Sequence, residues 1–104
     1  MKKSSIFSVA EELPQFWQSR ILGLVGDASI KVIRMGGEGI PPEVHDDFDE
    51  WLLVLEGELP LVVAENVFTL SAGEYVAVPR GVTHHVPAGS VGTLLLVDIH
   101  APGP

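Results

Sequence analysis

Two glutamates and two histidines occur at spacings that could bring them to one point. Glu43 and His45 are two residues apart, so on a strand their side chains would share a face. Glu50 follows the acidic turn Asp46–Asp49 and would face the same interior. His84 follows a Pro-Arg-Gly turn in a later segment. Imidazole nitrogens and carboxylate oxygens without sulfur suit Mn, Fe, Co, Ni or Zn, so the pattern predicts a divalent transition-metal site.

A metal held in this way would keep room for a further ligand. Four protein ligands leave one or two positions open on a five- or six-coordinate ion, and an open position is what metal catalysis needs. Leu52 and Val54 alternate with Glu50 along the same segment, so they would line an apolar cavity beside the site. Such a pocket suits a small organic ligand with a chelating pair of oxygens.

Short apolar segments must position these side chains. Turn residues separate segments rich in Val, Ile, Leu and aromatic residues: Ile21–Val25, Ser29–Met35, Trp51–Glu56, Leu59–Val63, Tyr75–Val78 and Thr93–Ile99. Many short strands at fairly regular spacing predict an all-β sandwich or small barrel. We expect a helical turn at Val9–Glu12 and a frayed tail at Ala101–Pro104.

Two of these strands, 51–55 and 93–97, are apolar on both faces. A small barrel needs only its inner face apolar, so something must cover the outer face. A homodimer is the preferred explanation, with Phe16 and Trp17 contributing to its interface, because closed two-fold dimers are the commonest soluble assembly. The alternative is a monomer in which the N-terminal segment covers this surface.

Composition and charge exclude several classes of function. The chain has 104 residues, enough for one core, and a net charge of −8 from 6 basic and 14 acidic residues. Binding to nucleic acid is not expected, because it relies on basic residues that neutralise phosphates. No apolar run approaches the ~20 residues that span a bilayer, and Ser4–Gln18 lacks the apolar core of a signal peptide. The absence of Cys excludes thiolate sites, and we expect a cytoplasmic protein.

The functional residues lie within two glycine-spaced motifs. The first comprises Gly37, Glu43, His45, Glu50 and Gly57, and the second comprises Gly73, Pro79, Gly81 and His84. Their order and spacing resemble the paired motifs of the cupin superfamily, whose first motif has a His where this chain has Glu43. The resemblance covers about Ile30 to Ile99, and the acidic stretch His45–Glu50 is similar to one sub-group of small single-domain cupins.

The resemblance implies a fold and a ligand set. The fold would be a double-stranded β-helix, a jelly-roll barrel. It would make residues 1–104 one cupin domain, with an N-terminal arm and first strands in 1–28, the barrel in 30–99 and a tail in 101–104. The equivalents of Glu43, His45, Glu50 and His84 would hold a divalent metal.

The replacement of His by Glu43 leaves two arrangements open. Glu43 could ligate, which would add a second carboxylate and favour harder ions such as Mn or Fe(II). Alternatively Glu43 points to solvent, and His45, Glu50 and His84 form a two-His-one-carboxylate triad. A further alternative pairs His45 with Asp47, but it breaks the spacing from Gly37 and shortens the gap to Glu50.

Other residues are expected to have structural roles. On a strand His85 would point away from the interior that His84 faces, and His100 is expected to be exposed at a strand end. Arg80 could pair with an anionic substrate, but a surface salt bridge is the preferred interpretation. The motif glycines such as Gly57 are interpreted as turn residues with unusual backbone angles.

Three functional hypotheses follow, because the fold does not select a reaction. The first is a metal-dependent enzyme, a dioxygenase or isomerase, acting on a small carbonyl, keto-acid or sugar-like substrate. The second is a metal-stabilised module that binds a small ligand without turnover. The third is a structural protein with a degenerate site. A phosphorylated sugar is not favoured, since Arg80 is the one evident basic residue near the site.

Overall fold

An antiparallel sheet curled into a barrel makes up most of the molecule. The computed structural model describes residues 1–99, so the predicted tail 101–104 and His100 lie outside the described residues. The elements are α1 (Ile6–Glu11), β1 (Ser19–Val25), β2 (Ala28–Met35), β3 (Ile40–Glu43), β4 (Glu50–Val63), β5 (Asn66–Ser71), β6 (Tyr75–Val78), β7 (His84–Val86) and β8 (Val91–Ile99). The sheet order is β1-β2-β8-β4-β7-β3, and β5 and β6 also pair with β4. The predicted all-β jelly-roll barrel is confirmed.

The long strand β4 connects the two halves of the barrel. Its first half pairs with β6 and β8, its second half pairs with β5, and its last residues meet β7. The sequence predicted two strands here, 51–56 and 59–63, with a turn between them. The prediction of two strands was wrong, because β4 continues through Gly57, which takes a positive φ of 89° within the strand. The register with β8 shifts just before it, between Val54 and Glu56. The short strands β3, β5 and β7 were not predicted.

Alternation along the strands places the core inside the barrel. Leu52, Val54, Leu59 and Leu61 of β4 are almost fully buried, and each side of the bulge follows the two-residue period of a strand. Outside the barrel, α1 and the turn after it cover β2, where Ala10 and Leu13 form a second buried cluster with Val32.

One apolar surface stays uncovered by this N-terminal segment. The side chains of Ile21, Leu24 and Val25 in β1 are 47%, 54% and 67% exposed. Within residues 1–99, no helix is long and apolar enough to cross a membrane.

A polar row lies next to Glu50 at one end of the barrel. Ser29 is fully buried and its hydroxyl donates to the Asp98 carboxylate, which also accepts from Lys31 Nζ at 3.0 Å. Asp98 follows Val97, the partner of Trp51, so Asp98 lies beside Glu50 on the adjacent strand. The sequence pattern did not identify this row, since an isolated Lys in a strand is usually solvated.

Candidate metal centre

Strands β3 and β7 bring the two halves of the predicted site together. Glu43 is the last residue of β3 and pairs in register with His84, the first residue of β7. His84 Nε2 lies 3.7 Å from Glu43 Oε1. His45 follows two residues after Glu43, and one donor atom from each of Glu43, His45 and His84 lies within 4.8 Å of the others. These three donors therefore surround a single point.

Glu50 completes the group from the start of β4. Its side chain is only 10% exposed. Glu50 Oε2 lies 3.3 Å from His45 Nε2, and Glu50 Oε1 lies 3.4 Å from His84 Nε2. The four residues singled out in the sequence thus meet, with the Glu50 carboxylate between the two imidazoles.

The two imidazoles present unpaired nitrogens to these carboxylates. His45 Nε2 and His84 Nε2 are buried and have no hydrogen-bond partner among residues 1–99. The other nitrogen of His84, Nδ1, lies 3.3 Å from the Val82 carbonyl oxygen. If Nδ1–H donates there, Nε2 carries a lone pair directed at two carboxylates. A lone pair facing carboxylate oxygens is unfavourable unless a cation lies between them, so the donor set fits a divalent ion.

Local packing orients His45 and leaves its acidic neighbour outside the cluster. The imidazole of His45 stacks on Phe48, with ring centroids 4.8 Å apart and planes 22° apart. Asp47 is exposed and does not belong to the donor cluster. The alternative that paired His45 with Asp47 therefore stays a prediction, and the exposure of Asp47 does not favour it. Glu43 is at the rim, with a side chain 46% exposed, so it faces both His84 and solvent.

Burial controls the ionisation of Glu50. Desolvation raises the pKa of Glu50 above its ordinary value of 4.5, and the imidazoles of His45 and His84 act in the opposite direction. The carboxylates of Glu43 and Asp98 raise the Glu50 pKa further. In the absence of a cation, the ionised Glu50 carboxylate is thus unfavourable in the folded protein.

We expect Glu50→Gln to stabilise the metal-free protein at pH 8. The raised pKa of Glu50 means that the folded protein binds this proton more tightly than the unfolded chain does. The free-energy cost of burying the ionised Glu50 carboxylate is therefore fully present above the pKa of Glu50 in the folded protein. This cost disappears as the pH falls below 4.5, the ordinary pKa of the group. Thermal unfolding after chelator treatment should give a higher Tm for the variant at pH 8, and the difference should shrink on acidification. The exposed Glu65→Gln is the control, and an unchanged Tm for Glu50→Gln at pH 8 would contradict the expectation.

A cavity of about 220 Å³ opens beside the cluster. Glu43, Glu50 and His84 line one part of it, and most of the remaining lining is apolar, including Ile33, Ile40, Leu52, Leu59, Leu94 and Leu96. Leu52 lines the cavity as predicted, whereas Val54 is packed in the core. His85 was expected to point away from the interior, but it is half-buried and borders the cavity. His84 and His85 are neighbours on the short strand β7, and both line the cavity.

Trp17 also lines the cavity. The sequence assigned it, with Phe16, to a subunit interface, and its local sequence carries no signal for a pocket residue. Arg80 pairs with Asp49 at 3.6 Å on the surface, where the two side chains are 65% and 64% exposed, as the preferred interpretation expected. Arg80 is not among the described residues that line the cavity.

Comparison with known proteins agrees with this fold. The model of the Cupin domain family matches residues 30–100. The chain therefore belongs to the cupin family, as its two motifs predicted.

Similarity to individual proteins is limited either to part of the chain or to low sequence identity. A segment of 61 residues is 38% identical to quercetin 2,3-dioxygenase of Bacillus subtilis (strain 168); it covers 57% of this chain and 18% of that protein. The chain thus spans less than a fifth of the length of this curated relative. The crystal structure of a cupin-2 domain containing protein from Shewanella frigidimarina NCIMB 400 superimposes with a TM-score of 0.81 at 25% identity, over 90% of this chain and 91% of that one. The TT1209 protein from Thermus thermophilus has a TM-score of 0.81 at 22% identity, over 98% and 100% of the two chains.

Proposed function

We propose that this cupin holds a divalent transition metal through Glu43, His45, Glu50 and His84 and binds a small organic ligand beside it. The observation that carries the proposal is the pair of buried, unpartnered Nε2 atoms of His45 and His84. Both lie within 3.4 Å of an oxygen of Glu50. A cation at this point would satisfy two nitrogens and balance two carboxylate charges. Mn, Fe, Co, Ni and Zn all accept these donors.

The cavity supports a ligand with an apolar body. Of the described residues that line it, none is Lys or Arg, so a phosphate group would find no Lys or Arg side chain to pair with there. The polar groups are concentrated at Glu43, Glu50, His84 and His85. A ligand that presents a carbonyl, enol or keto-acid oxygen to this end and buries its body among the aliphatic side chains fits this distribution.

The residues of the chain have distinct tasks in this arrangement. A divalent ion would polarise a ligand oxygen and stabilise the charge that develops on it. The buried Glu50 and His84 would be the inner ligands of the ion. Glu43 is half exposed at the rim, so it would be the carboxylate best placed to accept a proton from a bound ligand.

An enzyme, a binding protein and a structural protein remain the three candidate functions. The similarity to a quercetin 2,3-dioxygenase favours an oxygenase that acts on a phenolic or enolic substrate. The alternative is a module that binds such a ligand without turnover, or a structural cupin with a degenerate site. It is supported by the small number of acid–base groups at the site beyond the four donors.

Cobalt substitution tests the proposal directly. The protein is purified without chelators, its native metal content is measured, and Co(II) is then loaded so that the visible spectrum reports coordination. Stoichiometric metal, and a spectral change on adding acetohydroxamate, would support a metal centre that accepts an outside ligand. Metal without a spectral change would indicate a structural ion, and no metal after reloading would overturn the proposal.

We also propose that the chain forms a homodimer through β1. This strand lies at the edge of the sheet, and Ile21, Leu24 and Val25 are exposed on it. An apolar edge strand left open invites pairing with another chain, and a second copy would cover it. A cytoplasmic location stays a prediction, and the absence of nucleic-acid partners stays a prediction from the net charge of −8.

Leu24→Glu is expected to give a monomer. Leu24 is 54% exposed, so a carboxylate there costs the monomer little but would be buried without a partner in the dimer. Sedimentation equilibrium should give twice the chain mass of 11.2 kDa for the wild type and one chain mass for the variant. Val67→Glu on β5, where Val67 is 76% exposed, is the control and should stay dimeric. A monomeric wild type would exclude this interface.

A further inference from the structure

Trp17 is fixed in an unusual conformation at the end of the N-terminal segment. Its φ of 65° lies in the left-handed region, which is unfavourable for a bulky residue. The Trp17 backbone N–H donates to the Arg34 carbonyl oxygen at 2.6 Å, and its indole Nε1–H donates to the Glu38 carbonyl oxygen at 2.9 Å. The residue is therefore attached to both ends of the β2–β3 connection.

The preceding residue, Phe16, fits this connection closely. A Cβ added to Gly36 would lie 2.4 Å from the Phe16 ring, and one added to Gly37 would lie 3.1 Å from it. The Arg34 guanidinium carbon lies 4.9 Å from the centroid of the same ring, within the range of a cation–π contact. Phe16 thus packs on two glycines outside the barrel, and this packing directs the next side chain inward.

The indole of Trp17 borders the cavity at a different end from the metal ligands. It is attached to Glu38, which precedes β3, whereas Glu43 is the last residue of β3. Trp17 packs against the buried core cluster together with Ile40, and both residues line the cavity. The cavity consequently runs from the two carboxylates at one end to an aromatic wall at the other.

We propose that Trp17 is the residue that determines ligand size in this cavity. The proposal rests on the proposed function only where the ligand is taken to bind a metal ion. The size limit set by Trp17 does not depend on a metal. A cavity of about 150 Å³ is known to hold benzene, and the cavity here measures about 220 Å³. This volume suits a single ring or short aliphatic body attached to a chelating oxygen pair, and the indole would oppose a second fused ring at its end of the cavity.

Fluorine NMR of the metal-free protein tests the wall without involving the metal. The probes are fluorobenzene and 1-fluoronaphthalene, which differ by one fused ring and lack a chelating group. We expect the wild type to bind the first and exclude the second, and Trp17→Ala to bind 1-fluoronaphthalene at least about tenfold more tightly than the wild type. Trp51→Phe is the control, because Trp51 packs in a tilted arrangement against the exposed Tyr75 and is not among the described residues that line the cavity. It should behave as the wild type.

A second measurement uses the Co(II)-loaded protein and two hydroxamates that share one chelating group. Trp17→Ala should gain at least about tenfold in affinity for 2-naphthohydroxamate and change little for acetohydroxamate. Trp17→Phe keeps an aromatic ring of smaller volume and should give an intermediate ratio, which guards against misfolding of the alanine variant. The circular dichroism spectrum of each variant checks its fold.

The outcomes separate the two proposals. If no metal binds but the fluorinated probes respond as expected, the proposed function fails and the role of Trp17 stands. If hydroxamates bind to Co(II) with the same size preference in the wild type, Trp17→Ala and Trp17→Phe, the role of Trp17 is overturned while the metal site stands. Equal binding of 1-fluoronaphthalene to the wild type and to folded Trp17→Ala would also overturn it.

Discussion

Replacing His84 with alanine is expected to abolish stoichiometric metal binding. His84 is 4% exposed, its Nε2 has no hydrogen-bond partner within the described chain, and that atom faces oxygens of both Glu43 and Glu50. Loss of a residue that merely supports a ligand costs about 10–100-fold in metal affinity, so removal of this central donor should cost more than about 100-fold. Mass spectrometry of the metal content, followed by competition with a chromogenic chelator, gives the dissociation constants.

The burial of the carboxylates predicts an order among the other variants. Glu50→Gln should approach the effect of His84→Ala, because the Glu50 side chain is 10% exposed and contacts both imidazoles. Glu43→Gln should lose less, about tenfold, since its side chain is 46% exposed and solvent can replace one of its oxygens. The order would thus place Glu43 at the open edge of the site.

Asp47→Asn is the matched control for charge. Asp47 lies in the same loop as His45 but is exposed and outside the donor cluster. Its variant should keep the affinity of the wild type. An effect of Asp47→Asn equal to that of Glu43→Gln would support the alternative ligand pair, and full metal content in His84→Ala would exclude the proposed centre.

Gly57→Ala is expected to destabilise the fold severely. Gly57 has a φ of 89°, and a Cβ there would lie 1.8 Å from the Val91 carbonyl oxygen. Its register partner Gly92 is equally restricted, with an added Cβ 2.0 Å from the Glu56 carbonyl oxygen. Both obstacles are backbone atoms of paired strands, so relief requires β4 and β8 to separate. We expect a loss of at least about 3 kcal/mol in the free energy of unfolding, measured by urea denaturation.

Gly73→Ala separates the effect of backbone angle from that of contact. Gly73 has nearly the same φ, 87°, but an added Cβ would meet nothing within 4 Å. This variant should lose only the cost of the left-handed conformation, about 1–2 kcal/mol. Equal losses in the two variants would show that the close approach of β4 and β8 does not contribute.

Much of the candidate site could be predicted from local patterns. The spacing of Glu43 and His45 is a strand period, and Glu50 opens the next apolar strand with the same inward parity. His84 follows a turn that ends at Gly81, whose φ is 76°. These relations depend only on residue type and on short spacings along the chain. The two cupin motifs contain all four residues at these spacings. The convergence of the four side chains was therefore predictable.

The interpretation of the glycines was only half right. Gly57 and Gly73 both take the positive φ that was predicted. The location of Gly57 was wrong, because it lies inside β4 rather than in a turn. Local sequence indicates a turn wherever Gly interrupts an apolar run. Only the pairing with β8 shows that Gly57 is needed because the backbones of β4 and β8 come close together at this residue.

The sequence by itself determined the class of fold and the ligand-type residues, because both depend on strand periodicity and on the chemistry of single side chains. The tertiary structure alone decided that Trp17 lines the cavity, that Asp98 lies beside Glu50, and that Asp47 stays outside the donor cluster. The position of Trp17 follows from the packing of Phe16 on glycines and from a hydrogen bond to Glu38. Contacts of this kind join segments distant in the chain, so no local period or spacing could indicate them.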